Sequence, residues 1–532
     1  MALAYRISPD QINPRRLDPW HHKPEFLAQL SKVEQKCNVT FLEKLIDPSR
    51  GIAGGATPLG ANYLENGHIK FYRTSEIDDM QLDLDQAVFI SEEEDKKIRR
   101  SRLSTGDIVL TITGAKFGKA AVVEQRHLPG NISQHSVRFH PKKNYIDPYY
   151  LAVYLNAQTG QAAIWREAYG ATRPAIDYHS LRSLLVPLLN INAQYYIGNK
   201  LSDSEKLVSL SKILKNKSQN LLRQHISTRV SGNYDLLLSK TYKKYVHVSS
   251  FEIVDRLDAW YYKEEFTKSS RLLNILNENG CSYHRISSIG SVEYGFMPLE
   301  DYWNNIKGHP FLRISNIKKS LMIDNSDIKY VNPVKSNYPK YRLVKDDIIV
   351  VQLGNSTGRI CLVTDKYRNW VYPSFCLRIR IENDLYDPAY VAIFLSEFLG
   401  QNQIQRTISI SSVRPNTTKA AIESIKIPFL DEWEQKSIGY NARRMLAAYE
   451  NNMNLIAAAK HLVEALIEGH ISEQELISAQ QALEAGDNSL DREIMSRLKT
   501  DGLDGQGEPL FSDLDQLYSL LDQARETEDE QV

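Results

Sequence analysis

Hydrophobic positions along the chain follow two periods, and the switch from one to the other occurs twice. After Gly106-Asp107, the run Ile108-Val109-Leu110-Thr111-Ile112 is β-branched and has the period of a strand. A Gly-x-x-x-Gly segment, Gly114 to Gly118, and then Ala120-Ala121-Val122-Val123 follow, which predicts two strands joined by a glycine-bearing turn. Asp147-Pro148 predicts a helix through Tyr154-Leu155, because proline suits a first helical turn, and Gly160 is expected to end it. Past Pro187 the period becomes helical. From Asn192 the apolar positions Leu207, Leu210, Leu214 and Leu221 are spaced 3, 4 and 7. After Pro428 the series Met445, Ala448, Asn452, Leu455, Ala459, Leu462 and Leu466 alternates 3 and 4. Such seams predict coiled coils, with Asn452 as a polar insertion that fixes register.

The pattern occurs twice because the chain repeats itself. Arg16-Leu-Asp-Pro-Trp-His-His-Lys-Pro-Glu-Phe26 returns as Arg256-Leu-Asp-Ala-Trp-Tyr-Tyr-Lys-Glu-Glu-Phe266, seven of eleven positions identical at an offset of 240. The same offset carries Asp107 onto Asp347, Gly114 onto Gly354, Gly118 onto Gly358, Lys119 onto Arg359, Asp147-Pro148 onto Asp387-Pro388 and Gly160-Gln161 onto Gly400-Gln401. With one residue inserted, Arg173-Pro174 matches Arg414-Pro415, Pro187 matches Pro428 and Gln194 matches Gln435. This period is far longer than a solenoid repeat, so each copy is a domain-sized unit. The two seams stand at equivalent places and can pack on each other. A helix of about 30 residues rises roughly 45 Å, so it would hold two globular heads about one to one and a half turns of duplex apart.

Composition narrows the class. The 532 residues include 42% hydrophobic residues and balance 65 Lys and Arg against 65 Asp and Glu, as expected of an ordinary globular protein of several domains. Disorder and collagen are excluded, no stretch approaches the roughly 18 uncharged apolar residues of a spanning helix, and the start lacks an apolar signal core. A cytoplasmic location is expected. Cys37, Cys281, Cys361 and Cys376 form no CxxC pair, so reduced core cysteines are expected and no metal. The balanced charge is unevenly placed: from Ile471 onward there are 16 acidic and 4 basic residues, net −12, which leaves a body of net +12. A basic body fits an anionic partner such as nucleic acid.

In this order, and twice over, the phrases of the chain resemble the specificity subunit of type I restriction-modification systems, across about residues 10 to 470. They are Gly54-Gly-Ala-Thr-Pro58, Tyr63-Leu-Glu-Asn-Gly-His-Ile-Lys-Phe-Tyr-Arg73, Gly106-Asp-Ile108, Gly160-Gln161 leading to Val186-Pro187, and Gln194-Tyr-Tyr-Ile197. The second copy departs at Tyr294-Gly295-Phe296-Met297-Pro298, where a differently shaped loop is expected, and the acidic tail is longer than the family pattern. The resemblance implies an α+β protein: two tandem target-recognition domains, 1–190 and 241–430, and antiparallel spacer helices, 191–240 and 431–470, before an acidic helical tail at 471–532. It implies a non-catalytic chain that reads a bipartite site on double-stranded DNA. Two adenine methyltransferase subunits would dock on its helices, and in some systems a translocating nuclease subunit or other defence protein. S-adenosylmethionine would be bound by the methyltransferase, no cofactor by this chain, and no membrane is involved.

Other motifs fail on their residues. Asp147-Pro148-Tyr149-Tyr150 lacks the second proline of a methyltransferase Asp-Pro-Pro-Tyr and follows no cofactor loop. Gly114-Ala-Lys-Phe-Gly118-Lys119-Ala120 is one residue short of a phosphate loop and lacks its Ser or Thr. His21-His22 becomes Tyr261-Tyr262 in the second copy, which favours packing over metal binding. The candidate DNA contacts are Lys116 and Lys119 in the first copy and Asn355, Ser356 and Arg359 in the second, on glycine-bearing turns. Arg73 and Arg313 end equivalent strands, and Arg173 and Arg414 lie in equivalent loops. Candidate partner contacts are the seam residues Leu207, Leu214, Leu455 and Leu462 and the tail residues Leu514, Leu517 and Leu521. In the tail, Ser472 with Glu475 and Ser512 with Asp515 form capping boxes on either side of a flexible Gly502 to Gly507 stretch. The stripe Leu514, Leu517, Tyr518, Leu521 is expected to dock on a partner, with the chain's own body or competition with DNA as alternatives. Two other classes remain open at this point: a coiled-coil scaffold of a defence complex that reads no DNA, and an enzyme with an unrecognised site in one head.

Overall fold

The computed structural model describes residues 6–9, 12–14, 16–58, 60, 63–78, 80–170, 172–230, 248, 253, 256–298, 302, 308–318, 321–325, 327–332, 338–408 and 414–529. Its contacts divide into two compact units, residues 1–208 with 450–532, and residues 209–449. The expected boundary at residue 240 lies outside the described residues.

In the first unit, β1 (Ala53–Gly54), β4 (Ile108–Thr111), β5 (Ala120–Val122) and β7 (Ser136–Phe139) form an antiparallel sheet in the order β1-β7-β4-β5. Leu110 faces Ala120 across the turn, so the two strands joined by Gly114 to Gly118 form as expected. All four residues of β4 are buried, so both faces of this strand are covered. A second sheet, β3 (Val88–Ile90), β2 (Ile69–Tyr72) and β6 (Gly130–Ile132), lies beside it, and Tyr72, Ile77, Val109 and Ile132 share one core cluster. The second unit repeats the first sheet with β8 (Gly290–Tyr294), β9 (Ile348–Val351), β10 (Ile360–Leu362) and β11 (Cys376–Ile381), ordered β8-β11-β9-β10.

Helices carry the heads. The first unit has α1 (Pro24–Lys36), α2 (Pro148–Asn156) and α3 (Gln158–Arg166), and the second has α5 (Glu264–Glu278), α6 (Pro388–Ser396) and α7 (Phe398–Thr407). Gly160 does not end a helix. The first helix stops at Asn156, and Gly160 lies in the next one, where a Cβ would come within 1.9 Å of the Tyr154 carbonyl oxygen. The long helices are α4 (Ile191–Arg229) and α8 (Glu432–Glu468). Asn190, not Asn192, caps the first, its Oδ1 accepting from the Asn192 N–H at 3.0 Å.

The seams are real, with two adjustments. Leu207, Leu210 and Leu214 are buried, but the continuation runs through Leu222 and Ile226, and Leu221 stays half-exposed. On α8, Met445, Ala448, Asn452, Leu455, Ala459 and Leu462 are buried, whereas Leu466 is half-buried beside Ala465 and Ile467. In the second unit Ser211 Oγ donates to the Met445 carbonyl at 3.1 Å and Ser218 Oγ to the Ile438 carbonyl at 3.2 Å, which makes the pairing antiparallel. Asn452 takes its partner from the head: its Oδ1 accepts from Gln81 Nε2 at 2.9 Å.

The tail, α9 (Glu473–Glu484), α10 (Ser489–Arg497) and α11 (Leu514–Asp529), packs within the first unit. Ser472 and Glu475 form the expected capping box. The second cap is different, since Asp513 Oδ1 accepts from the Gln516 N–H and Asp515 pairs with Arg492 at 2.7 Å. The Gly502 to Gly507 stretch is built, not a free linker. Leu498–Lys499 pairs with Gly502–Leu503, and the Asp501 carboxylate accepts from the Gln506 and Gly507 N–H groups. Leu517, Leu520, Leu521 and Ala524 are buried and Leu514 partly so, which places the stripe against the chain's own first unit. Asp491 locks it there: its carboxylate is buried and takes Lys200 Nζ, Tyr196 OH and Tyr518 OH.

The junction of head and long helix is the same in both units. Asp147 accepts from the Tyr150 N–H at 2.7 Å, and its own N–H donates to Gln194 Oε1 at 2.8 Å. Gln194 Nε2 then donates to the Leu189 carbonyl at 2.8 Å. Asp387, Gln435 and Leu430 repeat this at 3.2, 3.0 and 2.8 Å. The second copy adds Arg443, 2.8 Å from Asp387, where the first has Ser202. With no such cation, burial pushes the Asp147 carboxyl up to about 6, against the pull of the Tyr150 N–H. Its folded pKa exceeds the unfolded value, so its contribution is complete below about 4 and is lost as pH rises through about 6. Asp147→Asn keeps a capping oxygen without the charge. It should be more stable than the unaltered chain above pH 6, by on the order of 2 kcal/mol, with the gap closing near pH 4. Urea midpoints between pH 4 and 8 check this; a gap independent of pH would contradict it.

Candidate nucleic-acid interface

In the first unit the turn after β4 is shaped by Gly114 and Gly118, at φ of 106° and 80°, values that disfavour a side chain. Gln161 holds this turn to the end of α2, its Nε2 donating to the Gly118 carbonyl at 2.9 Å and the Leu155 carbonyl at 2.6 Å. Gln401 does the same at Gly358 and Leu395. The repeated Gly-Gln pair is therefore the mount of the turn.

Other candidates are brought to the same end of the sheet. Lys116 Nζ donates to the Ser75 carbonyl at 3.0 Å, which joins the turn to the short helix Thr74–Glu76 that Arg73 begins. Arg173 arrives on the loop whose Ala175 bridges Thr113 and Tyr169, and a Cβ on Gly114 would lie 3.8 Å from its guanidinium. Among the described residues the Arg173 side chain is exposed and makes no hydrogen bond or ion pair. Arg73 is different: its guanidinium is bound to Glu76, 2.8 Å away and buried, so it shapes the turn from within. Lys119 is half-buried at the foot of β5. Two residues were not legible beforehand. Tyr169 is 52% exposed beside the turn, and His135, half-buried, has its pKa lowered by burial and then by Arg173. No spacing marked either one, because both reach the turn through loop closure.

The second unit builds the same turn, with Gly354 and Gly358 at φ of 96° and 88°. Asn355 is exposed, and Ser356 and Arg359 are half-buried. Neither the Asn355 nor the Arg359 side chain makes a hydrogen bond or ion pair among the described residues. Arg414 is exposed next to Pro415, whose carbonyl accepts from the Gly354 N–H at 2.9 Å and Thr357 Oγ1 at 3.0 Å. Arg313, like Arg73, begins a short helix, but it is bound to Asp327 at 2.6 Å on its own loop.

The Gly54-Gly55 departure has a physical account. A Cβ on Gly55 would meet the Ser133 carbonyl at 2.1 Å, and one on its equivalent Gly295 would meet the Pro373 carbonyl at 2.2 Å, so this glycine is kept. A Cβ on Gly54 would meet the hydroxyl of Tyr178. In the second copy position 294 carries its own tyrosine, whose OH accepts from the Lys419 N–H at 3.4 Å. A phenol stands on the same sheet edge from opposite sides. The remaining motifs are structural: Asp147 is a helix cap, Tyr150 OH donates to the Pro187 carbonyl at 2.9 Å, and His21 and His22 are buried edge to face. Burial, then the nearby Arg166 and Arg16, lowers the His21 pKa to about 4. Among the described residues no group of three or more His, Cys, Asp or Glu is placed to hold a metal ion.

Residues 51–219 match the family model described as the type I restriction modification DNA specificity domain. The chain is 26% identical to the type I restriction enzyme EcoBI specificity subunit of Escherichia coli over 211 residues, 40% of this chain and 42% of that one. It is 24% identical to the putative type I restriction enzyme MjaX specificity subunit of Methanocaldococcus jannaschii over 397 residues, 70% of this chain and 79% of that one. The match thus spans less than half the length of the first relative and over three quarters of the second. A solved type I restriction-modification S subunit from M. genitalium aligns at 14% identity and a TM-score of 0.41, covering 82% of this chain and 96% of that one. Residues 51–219 thus carry the likeness to the DNA specificity domain, and the relatives this chain is similar to are specificity subunits of type I restriction enzymes.

Read as DNA contacts, Arg173 and Asn355 would have two different roles, which substitution distinguishes. Arg173→Ala should weaken binding to every DNA sequence and lower the salt slope by about one, as loss of a phosphate contact does. Asn355→Ala should relax one base position at a cost of about 1–3 kcal/mol. Affinities on a set of single-base variants at several salt concentrations test both. Equal loss on all sequences for Asn355→Ala would reduce that residue to a positioning role.

Proposed function

We propose that this chain is the sequence-specific DNA-recognition subunit of a type I system, reading a two-part target and positioning adenine-N6 methyltransferase subunits on it. The observation that carries this reading is the duplicated glycine-bearing turn, mounted by Gln161 and Gln401 and flanked by the exposed, uncommitted side chains of Arg173 in one unit and Asn355 in the other. Arginine, asparagine and glutamine forks match the edges of guanine and adenine in the major groove, and arginine neutralises phosphates beside them. Lys116, Arg173 and Arg414 are assigned to phosphates, Asn355, Ser356 and Arg359 to base edges, and Arg73 and Arg313 to shaping the loops. Lys119 supports its turn.

The domains are assigned as recognition domains at 1–190 and 241–430, spacer helices at 191–240 and 431–470, and the tail at 471–532. The chemistry belongs to partners: methyltransferase subunits that bind S-adenosylmethionine and, in a cleaving system, a translocating nuclease subunit. The chain itself carries out no reaction and works in the cytoplasm, where its DNA is. No helix among the described residues is long and apolar enough to cross a membrane.

Exchange of residues 10–190 for the equivalent head of a relative tests the reading directly. One half of the methylated motif should change and the other stay, as read by single-molecule methylation mapping of the host genome. If both halves change, or neither does, the two-head reading fails. The purified chain alone should transfer no methyl group from labelled S-adenosylmethionine to DNA, and transfer should appear once a methyltransferase subunit is added.

A further inference from the structure

Among the described residues the two most exposed large apolar side chains are Leu17, at 74%, and Leu257, at 89%, and they occupy the same position of the two copies. In the first copy Arg16 Nε donates to Asp18 Oδ2 at 2.8 Å, and its Nη1 and Nη2 donate to the Glu167 and Ala168 carbonyls at 3.1 and 3.2 Å. Trp20 Nε1 donates to the Trp165 carbonyl at 2.6 Å, and Arg166 Nε donates back to the His21 carbonyl at 3.1 Å. The second copy repeats this clamp. Arg256 donates to Asp258 at 2.6 Å and to the Thr407 carbonyl at 3.1 Å, Trp260 to the Gln405 carbonyl at 2.8 Å, and Arg406 to the Tyr261 carbonyl at 3.0 Å. An arginine and an aspartate that pair across one residue stand on the same side of the segment, so the leucine between them is turned outward. A lone exposed leucine needs no explanation, but the same leucine held out twice by the same clamp does.

The clamp also fixes where each leucine stands. Glu167 and Ala168 lead directly into Tyr169, which pairs with Ala175 and encloses the loop of the exposed Arg173. Thr113, beside the glycine turn, bridges the same Ala175. In the second copy Thr407 ends α7, and the chain reaches the exposed Arg414 and then Pro415, whose carbonyl accepts from the Gly354 N–H. Each leucine is therefore bolted to the foot of the segment that flanks a glycine turn, on the candidate DNA interface. A duplex offers a leucine two apolar targets, thymine methyls and the faces of stacked bases. A thymine contact would make both heads read the same base. The turns differ where bases would be read, Ala115-Lys116 against Asn355-Ser356, while the leucine is shared, so its target is one that every sequence has.

We propose that Leu17 and Leu257 are wedges, each entering between two neighbouring base pairs beside the half-site of its head and partly unstacking them. This rests on reading the heads as DNA-recognition domains. Apolar side chains used in this way kink a duplex, and an opened stack lowers the work left to an enzyme that must extrude a base. The two leucines are positioning residues, and the reading of bases stays with the glycine turns.

The test uses the full-length chain and duplexes of its mapped target with 2-aminopurine, whose fluorescence rises on unstacking, at one position at a time. At saturating chain, where lost affinity alone cannot dim the signal, the scan should show one bright step in each half of the target. Leu17→Ala should abolish one step and Leu257→Ala the other, each with binding weakened about tenfold, the scale of burying a leucine side chain. Leu17→Met, which keeps an apolar wedge, should restore the first. Normal target binding with no bright step, or steps that survive both alanine variants, overturns the wedge and leaves the recognition reading standing. Steps that survive Leu17→Ala while capture of a protein subunit is lost would assign the leucine to a protein contact instead. A chain that does not prefer its target over a scrambled duplex overturns the recognition reading, and the wedge with it.

Discussion

Each copy turns on a single joint, where a half-buried aspartate caps one helix and a glutamine from the first turn of the long helix grips the backbone ahead of it. Asp147 with Gln194, and Asp387 with Gln435, tie the helix that backs each sheet to the helix that leaves the head. Gly198 and Gly439 allow this approach, since a Cβ at either position would meet the aspartate oxygens at 2.2 and 2.7 Å. Everything a head presents is carried by a frame fixed at this point. A buried hydrogen-bonded joint of this kind costs more to break than it contributes when intact, because the polar groups left behind would be unpaired.

The sheets pass that rigidity to the turns. Asp107 and Asp347, fully buried, stand at the base of the strand that leads to each glycine turn, and each is held by a guanidinium. The first copy uses Arg50 with help from His140, and the second uses Arg380, which occupies the position of His140. The interaction is kept while its donor differs, Arg50 from the short helix Pro48–Arg50 in the first copy and Arg380 from β11 in the second. At the far end, Gln161 and Gln401 hold the glycine turns, so the exposed side chains there sit on a backbone clamped at both ends. Recognition side chains benefit from such mounting, because a contact to a base edge depends on position to within a fraction of an ångström.

The tail shows how one sequence feature can serve a different end from the one its pattern indicates. A leucine stripe amid acids reads as a surface for another molecule, but its residues are buried against the first unit, with Asp491 at the centre of a cluster of Lys200, Tyr196 and Tyr518. A buried carboxylate needs such partners. Two of them, Tyr196 and Lys200, lie nearly 300 residues away in sequence, out of reach of any local pattern.

Much of this protein was set by the sequence alone. The duplication, the glycine turns, the proline-initiated helices, the two seams and the capping box at Ser472 are local or repeated signals, and each depends on residues within a few positions of one another or on a fixed offset. What the tertiary structure decided depends on distant neighbours. It moved the seam from Leu221 to Leu222 and placed Gly160 inside a helix under the Tyr154 carbonyl. It gave Asn452 to Gln81, committed Arg73 to Glu76 and Arg313 to Asp327, and left Arg173 uncommitted. Periodicity gives the face of a helix to within a residue, whereas packing chooses among neighbouring side chains by volume and by which buried polar groups find partners. A charged side chain in a loop looks the same in sequence whether it pairs internally or faces solvent, and only the fold brings, or withholds, the opposite charge.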